Sequence, residues 1–398
     1  MVYSKHSVFL TGQVYVIILA QMDNPFKKIL EKASDIFKGS TTSDSALGID
    51  IGSSSIKVVE IKRKGGKAML TTYGMIGLGP YAGLDIGRVT NLPVEKIIEA
   101  LNETLKQSGV TTNSGALAIP VQSSLIFTIE LPPNIKKSEM ASVISTEARR
   151  YIPVPITEVS LDWSLLPRKE ATFLEANNQD VHLMPAEKTE VLVVAIQNDA
   201  ISKYRSIVSG CGLEAEFFEI EVFSSIRSNF EHELSLVLLM DFGASRTKLS
   251  IVEFGTIKSF HIIGRGGADI TDSISKSQSI SFPEAEKKKK EFGLYGDPNE
   301  KSLADIIKIH TDYIFSETNN VLLGYEKKYN RTISKVILTG GGSLLVGLKE
   351  VAENNFKAEV EVGRPFSKVG APAFLEKVLE ATGPEFAVAL GLALRKLQ

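Results

Sequence analysis

Gly48-Ile49-Asp50-Ile51-Gly52-Ser53-Ser54-Ser55-Ile56-Lys57-Val58-Val59-Glu60 is the stretch on which the fold turns. An apolar run ends in Asp-x-Gly, a small polar turn follows, and a β-branched run resumes, which is the pattern of a strand, a tight turn and a strand. The glycine lets the backbone approach a ligand closely and turn its N–H groups inward, Ser53, Ser54 and Ser55 add donors, and the Asp50 carboxylate can hold magnesium through water. One such turn is weak evidence, because most Asp-Gly-Ser turns are only hairpin turns. The chain supplies a second. Leu234 to Phe242 opens a new set of strands and runs into Asp241-Phe242-Gly243-Ala244-Ser245, after which Leu249 to Phe254 and Thr256 to Ile263 pair across Gly255. Two halves that begin alike predict an internally duplicated α/β fold with two lobes, whose turns would clamp a polyphosphate from both sides.

A third turn points the same way. Strand Val336 to Leu338 leads into Thr339-Gly340-Gly341-Gly342-Ser343 and a helix through Leu345, Leu348 and Val351. Strand, glycines and a helix start make an anion- or nucleotide-binding corner. No Gly-Lys-Ser/Thr follows, so it is not a Walker A loop, and the spacing is not that of the dinucleotide fingerprint.

Outward from these turns, strands are predicted at Ala46 to Ile51, Ile56 to Ile61 and Ala68 to Leu78, with a helix at Pro93 to Gln107 carried by Ile97, Ile98, Leu101 and Leu105. Strand Gly115 to Pro120 follows. A block with its own rhythm comes next: strand Ser124 to Leu131, helix Ser138 to Tyr151, a strand near Ser160 to Leu166, the polar loop Lys169 to Lys188, strand Glu190 to Ile196 and helix Ile201 to Gly210. It reads as an inserted α+β subdomain. Strand Glu214 to Ile220 and helix Val222 to Phe230 return to the first lobe. The expected division is an N-terminal segment at 1–45, the first lobe at 46–122 and 213–233, the insertion at 123–212, the second lobe at 234–382 and a closing helix at 383–398.

With 398 residues, 43% of them hydrophobic and 23% charged, the chain is an ordinary globular one and no disordered, collagen-like or polytopic membrane protein. Forty-five basic against 47 acidic residues leave a net charge of −2, which gives no electrostatic reason to expect nucleic acid as a partner. The single cysteine, Cys211, excludes an intramolecular disulfide, and five scattered histidines offer no zinc-ligand spacing. A reducing, cytosolic setting is expected. Val8 to Ala20 is apolar but too short for a spanning helix, and a signal-peptide cleavage at Ala20 would find Ile18 where a small residue belongs. Translation starting at Met22 is the simpler account of these first residues. Between Pro25 and Lys38, Phe26, Ile29, Leu30, Ala33, Ile36 and Phe37 form the apolar face of a basic helix. Such a helix lies on an anionic membrane surface or, more often, packs on its own domain or a partner.

The two Asp-Gly turns, the Thr-Gly-Gly-Gly turn and the Gly383 to Leu397 helix with its small face of Ala387, Ala389, Gly391 and Ala393 resemble the motifs of the actin, sugar kinase and DnaK-type ATPase superfamily. Within that, Glu147-Ala148-Arg149-Arg150-Tyr151-Ile152-Pro153-Val154-Pro155, followed by Asp162-Trp163, resembles the signature of the PilM family of type IV pilus assembly proteins, as does the opening Gly48 to Glu60 stretch. The resemblance runs from about Ala46 onward. It implies a duplicated actin-like, ribonuclease H-like, two-lobed nucleotide-binding fold and ATP with Mg2+ as ligands.

Carried over by position, Asp50, Gly52, Ser53, Ser54 and Ser55 would form the first phosphate loop with Lys57 beside it, and Asp241, Gly243 and Ser245 the second. Asp50 and Asp241 would hold the metal. Glu221 matches the connecting segment that orients water or metal. Glu286 and Lys289 would embrace ribose and adenine from one helix face, although a lysine-rich helix is by itself usually a solvated face. Gly266 and Gly267 would lie near the nucleotide, with Gly340, Gly341, Gly342 and Ser343 at the third turn. One departure stands out: Arg246 occupies the position where many hydrolytic relatives place a threonine near the γ-phosphate, with Thr247 next. Nucleotide binding is therefore expected ahead of turnover.

The resemblance further implies a cytoplasmic scaffold, peripheral at the inner membrane, that receives the N-terminal tail of a PilN-like membrane protein in a groove beside the insertion. Other pilus platform and motor proteins, membrane contact through 25–38 and self-association complete the expected partners. An FtsA-like division filament protein is the main alternative. FtsA-like chains usually carry a C-terminal amphipathic helix, whereas this sequence stops at Gln398, directly after the small-faced helix. A sugar-kinase-like phosphotransferase is the second alternative, and it needs a catalytic base and sugar pocket that are not recognisable.

Overall fold

A computed structural model describes residues 45–132, 135–166, 189–231, 235–298 and 302–397. The Val8 to Ala20 stretch, the helix expected at Pro25 to Lys38 and the Lys169 to Lys188 loop lie outside the described residues.

Two five-stranded sheets carry the chain, and they are built alike. The first contains β1 (Ser45–Ile51), β2 (Ser55–Lys64), β3 (Lys67–Gly77), β4 (Ser114–Ile119) and β8 (Glu214–Ile220) in the order β3-β2-β1-β4-β8. The second contains β9 (Val237–Phe242), β10 (Thr247–Glu253), β11 (Thr256–Ile263), β12 (Lys335–Thr339) and β13 (Glu359–Val362) in the order β11-β10-β9-β12-β13. In each, three strands form an antiparallel meander and two more add in parallel beside the first. The duplicated two-lobed fold is therefore present in the hydrogen-bond ladders themselves. The register matches as well: Asp50 pairs with Lys57 in the first sheet and Asp241 with Lys248 in the second.

The central strands read as near-continuous apolar runs because both faces are covered. On one face of the first sheet, Ile97, Ala100 and Leu101 of α1 (Val94–Ser108) and Tyr204, Ile207 and Val208 of α3 (Asn198–Gly210) pack with Leu47, Ile49, Val58 and Leu117. The other face is covered by α10 (Ala387–Leu397), whose Ala389, Leu390 and Ala393 meet Val59, Ile61 and Tyr73. Two glycines permit that approach. A Cβ on Gly48 of β1 would lie 1.9 Å from the Ala389 carbonyl oxygen, and one on Gly391 would lie 1.9 Å from the Ser224 carbonyl oxygen in α4 (Glu221–Asn229). The small face of α10 is thus held between β1 and α4.

The same junction buries a carboxylate. Glu219 accepts from Arg227 Nη1 and Nη2 at 2.7 and 2.8 Å and from Arg395 Nη1 at 2.6 Å, and Arg227 also reaches the Gly391 carbonyl at 3.1 Å. Burial pushes this carboxyl up, but hydrogen bonds and charge from Arg227, with Ser224 and Arg395, outweigh it and hold the carboxyl below its ordinary range. Glu219→Gln is expected to cost about 2 kcal/mol, as hydrogen bonds to charged groups typically do. Because the folded-state value is depressed, the contribution is complete above the unfolded glutamate value of about 4.3 and is lost as pH falls through the folded value. Urea-unfolding midpoints of the two proteins should accordingly differ at neutral pH and converge in acid; a gap that stays constant into acid would remove the ionic role.

Inserted in sequence between β4 and β8 of the first lobe is a third, antiparallel sheet of β5 (Ser124–Leu131), β6 (Val159–Leu165) and β7 (Thr189–Gln197) in the order β5-β7-β6. One face packs Ile129, Leu131, Val191 and Val193 on Ile144 and Ala148 of α2 (Lys137–Ala148). The opposite face sets Ile126, Val194 and Ile196 in one cluster with Phe260 and Ile262 of β11 and Ile226 of α4. The block expected at 123–212 thus divides, since α3 buries its apolar face in the first lobe's core and not on this sheet.

The second sheet is covered by α5 (Gly267–Gln278), α6 (Phe282–Phe292), the long α7 (Ser302–Tyr329) and α8 (Leu348–Phe356), before α9 (Glu376–Thr382) leads to α10.

Candidate functional site: a cleft between two matched turns

The two Asp-Gly turns close with the same bond. Gly52 N–H donates to the Ser55 carbonyl at 3.0 Å, and Gly243 N–H donates to the Arg246 carbonyl at 3.0 Å. The second turn is tied to the start of α5 by Gly267 N–H to Gly243 O and Ala268 N–H to Ala244 O, both at 2.9 Å. The third turn needs its glycine outright: Gly340 has φ of +78°, and a Cβ there would fall 2.3 Å from Asp241 Oδ1. These bonds consume some amide donors and leave others. Among the described residues, the N–H groups of Ser53, Ser54, Ala244, Ser245, Gly341 and Gly342 donate to no backbone carbonyl. Successive unpartnered N–H groups in a turn form an anion-binding concavity.

The turns face one cleft of about 1440 Å3. It is lined by Asp50, Gly52, Ser53, Ser54, Ser55, Lys57, Glu221, Asp241, Gly243, Ser245, Gly267, Glu286, Lys289, Gly340, Gly341 and Gly342. Two expected residues are not in its wall. Gly266 sits against the second turn, where a Cβ would lie 2.4 Å from the Ala244 carbonyl oxygen, and Ser343 is buried with its hydroxyl donating to the Gly340 carbonyl at 2.7 Å. Both shape the turns instead of facing the cavity.

Charge is concentrated at the floor. Lys248 Nζ lies 2.6 Å from Glu221 Oε2 and 3.1 Å from Asp241 Oδ2, while Glu221 Oε1 accepts the Val121 N–H at 3.0 Å. Lys57 Nζ stands 3.8 Å from Asp50 Oδ2. Burial opposes the charge on Lys248, but Asp241, Glu221 and Asp50 outweigh it and hold the ammonium well above the usual lysine range. Asp50 goes the other way: burial is the main cause of its raised carboxyl, Lys57 and Lys248 pull it down, and Glu221 and Asp241 push it further up. Lys248 was missed in the sequence, although it stands seven residues after Asp241 as Lys57 stands seven after Asp50.

Glu286 and Lys289 share one face of α6, as expected, but they are joined to a neighbour. Lys289 Nζ donates to Glu286 Oε2 at 2.6 Å, Thr271 Oγ1 at 2.7 Å and the Gly267 carbonyl at 3.0 Å. Burial pushes the Lys289 ammonium down despite Glu286, whereas Lys289 and Lys290 hold the Glu286 carboxyl low against its own burial. The arrangement places a polar, charge-paired edge beside the second phosphate turn. Across the mouth, Arg88 from the first lobe pairs with Asp272 of α5 at 3.2 Å and lies 4.1 Å over the Phe282 ring, a contact the sequence reading did not contain. Arg246 is exposed in the cleft wall, while Thr247 is fully buried with its hydroxyl donating to the Arg265 carbonyl at 3.0 Å.

Comparison with known proteins now decides the lineage. Residues 48–397 match the family described as Type IV pilus assembly protein PilM. The chain belongs to that family. A chain of the PilM-PilN type IV pilus biogenesis complex is 25% identical to this PilM-family chain, with a TM-score of 0.73 over 89% of this chain and 98% of that one. The ethanolamine utilization protein EutJ from Carboxydothermus hydrogenoformans shares the fold, with a TM-score of 0.51, 16% identity and coverage of 93% and 97%. The cell division protein FtsA of Staphylococcus epidermidis is 24% identical over 357 residues, 80% of this chain and 74% of that one. The actin-like, two-lobed α/β fold implied by the motifs is the fold this PilM-family chain has. No helix among the described residues is long and apolar enough to cross a membrane.

The residues fit a polyphosphate better than they fit a metal. Free amides, hydroxyls and cations, Lys57, Lys248 and Arg246 among them, converge on the cleft, but the carboxylates expected to hold magnesium, Asp50 and Asp241, each face a lysine. Among the described residues, no set of three or more His, Cys, Asp or Glu could hold a metal ion. A protein-held magnesium between Asp50 and Asp241 is thus at odds with this geometry, because each carboxylate is already opposed by an ammonium.

Proposed function

We propose that this PilM-family chain is an ATP-binding scaffold on the cytoplasmic side of a type IV pilus assembly platform, peripheral at the inner membrane, where it holds the N-terminal tail of a PilN-like membrane protein. The observation that carries the nucleotide part is the pair of matched turns, with Gly52 and Gly243 closing identical hairpins on one cleft. The phosphates sit between them, against the free amides of Ser53, Ser54, Ala244 and Ser245, and the nucleoside end lies along Glu286 and Lys289. Thr247 is locked to the Arg265 carbonyl and Arg246 takes its neighbouring place, which supports binding over hydrolysis. The partner reading is supported by the likeness to a chain of the PilM-PilN complex. An extended tail docks beside the β5-β7-β6 sheet, and lobe closure around nucleotide would couple the two sites.

Anisotropy of a labelled N-terminal peptide from the PilN-like protein of the same source, titrated with the purified chain, tests this. Saturable binding whose affinity changes with ATP is expected. A folded chain that binds neither peptide nor ATP would sink the scaffold reading. The likeness to FtsA favours a division-type filament as the second reading. Nucleotide-dependent sedimentation of the chain without any peptide binding would select it.

A further inference from the structure

We propose that Lys248 is the resident cation of the phosphate cleft: its ammonium takes, between Glu221 and Asp241, the position a divalent metal would need, so that a nucleoside triphosphate binds without one. The proposal rests on reading the cleft as a triphosphate site and specifies how that site is neutralised.

Three features place the ammonium there by construction. Lys248 lies on β10, directly across from Asp241 on β9, and β10 is hydrogen-bonded on both sides, so the strand register fixes where the side chain starts. Glu221, the first residue of α4, is held by the Val121 N–H through one carboxylate oxygen and presents the other to Lys248 at 2.6 Å. The lysine side chain is only 14% exposed, so water does not screen its two ion pairs as it would at the surface. A divalent ion entering between these carboxylates would meet a fixed positive charge within contact distance and would have to displace it.

The balance of charge leads to the same point. Seven acidic and seven basic residues line the cleft, with Asp50, Glu221 and Asp241 set against Lys57 and Lys248 at its floor, so it has no surplus of negative charge with which to attract a metal. A triphosphate brings its own negative charge to the free amides of the turns and to these cations. Removing Lys248 would leave Glu221 and Asp241 as a vacant pair of carboxylates close together, which is what a divalent ion requires.

The experiment has two arms. Mn2+ alone, without nucleotide, is titrated into wild type, Lys248→Met and Lys248→Arg and read by the loss of the free-ion EPR signal. Fluorescently labelled ATP is titrated into the same proteins in Mg2+ and in EDTA. Wild type and Lys248→Arg are expected to leave the Mn2+ signal unchanged and to bind ATP with affinities that agree within about twofold in the two buffers, whereas Lys248→Met gains Mn2+ binding and loses about tenfold or more of its ATP affinity in EDTA. Mn2+ binding by nucleotide-free wild type, or a loss of about tenfold in its ATP affinity in EDTA, overturns the proposal. Should wild type bind no ATP in either buffer, the triphosphate reading fails, and the Mn2+ arm alone judges Lys248: gain in Lys248→Met supports it and no gain in a variant with wild-type circular dichroism overturns it. If Lys248→Met does not fold, the wild-type titrations in both arms decide.

Discussion

Gly48→Ala is expected to destabilise the chain severely, although it adds a single methyl group in the middle of a strand. That methyl would lie 1.9 Å from the Ala389 carbonyl oxygen and 2.9 Å from the Ala393 nitrogen, and both are backbone atoms of α10 that no rotamer change can move. Relief requires α10 to back away from β1, which opens the cluster of Ala46, Val59, Tyr73, Phe386 and Leu390 and disturbs the Gly391 contact with α4 on its far side. Overpacking a core costs roughly 1–3 kcal/mol when side chains can adjust. With backbone on the receiving side the expected loss is about 4 kcal/mol, a large part of the roughly 5–15 kcal/mol of a typical domain. The check is soluble yield and the urea midpoint, with Gly264→Ala as the control, since a Cβ there meets nothing within 4 Å. A Gly48→Ala protein as stable as that control would show that α10 is not seated on β1.

A carboxylate placed in either phosphate turn is expected to weaken nucleotide binding severely without unfolding the protein. Ser54 and Ser245 are partly exposed, line the cleft, and have amides free of backbone partners, so Ser54→Glu and Ser245→Glu disturb little packing. A new negative charge about 5 Å from a phosphate oxygen at an effective dielectric near 20 costs about 3 kcal/mol. That is roughly a hundredfold in affinity for each variant. Labelled-ATP titration, with thermal melts as the folding check, measures it. Unchanged affinity in both variants would place the nucleotide elsewhere and remove the role given to the matched turns.

What could be read ahead of the structure depended on whether a feature was local. Asp50 and Asp241 were legible because each ends an apolar run and precedes a glycine turn, and the sameness of the two turns revealed the duplication. Helices α1 and α4 were legible within a residue or so from their apolar spacing. Lys248 carried a signal that was overlooked, its place after Asp241 repeating that of Lys57 after Asp50. Helix α7 went unread, and its exposed Ile309, Tyr313 and Leu323, mixed with buried Leu303, Ile307, Ile314 and Phe315, blur the periodicity that marks a single buried face. The pairing of Arg88 with Asp272 joins residues 184 apart in the chain, and no local pattern encodes it. Gly266 and Ser343 belong to motifs that reach the cleft, yet a motif does not say which of its members face inward and which hold the turn.

The seating of α10 against β1, β2 and β4 also governs when the first lobe can form as the chain is made. Its strands are synthesised early, but the helix that covers one of their faces comes after every element of the second lobe. The second sheet and the helices that cover it are encoded within 237–362 and can assemble while the ribosome is still working. The first sheet must wait with Val59, Ile61 and Tyr73 uncovered until residues 387–397 emerge. Contacts of such long sequence separation form slowly, and the nascent protein would therefore spend its vulnerable interval with the older half of its sequence incomplete.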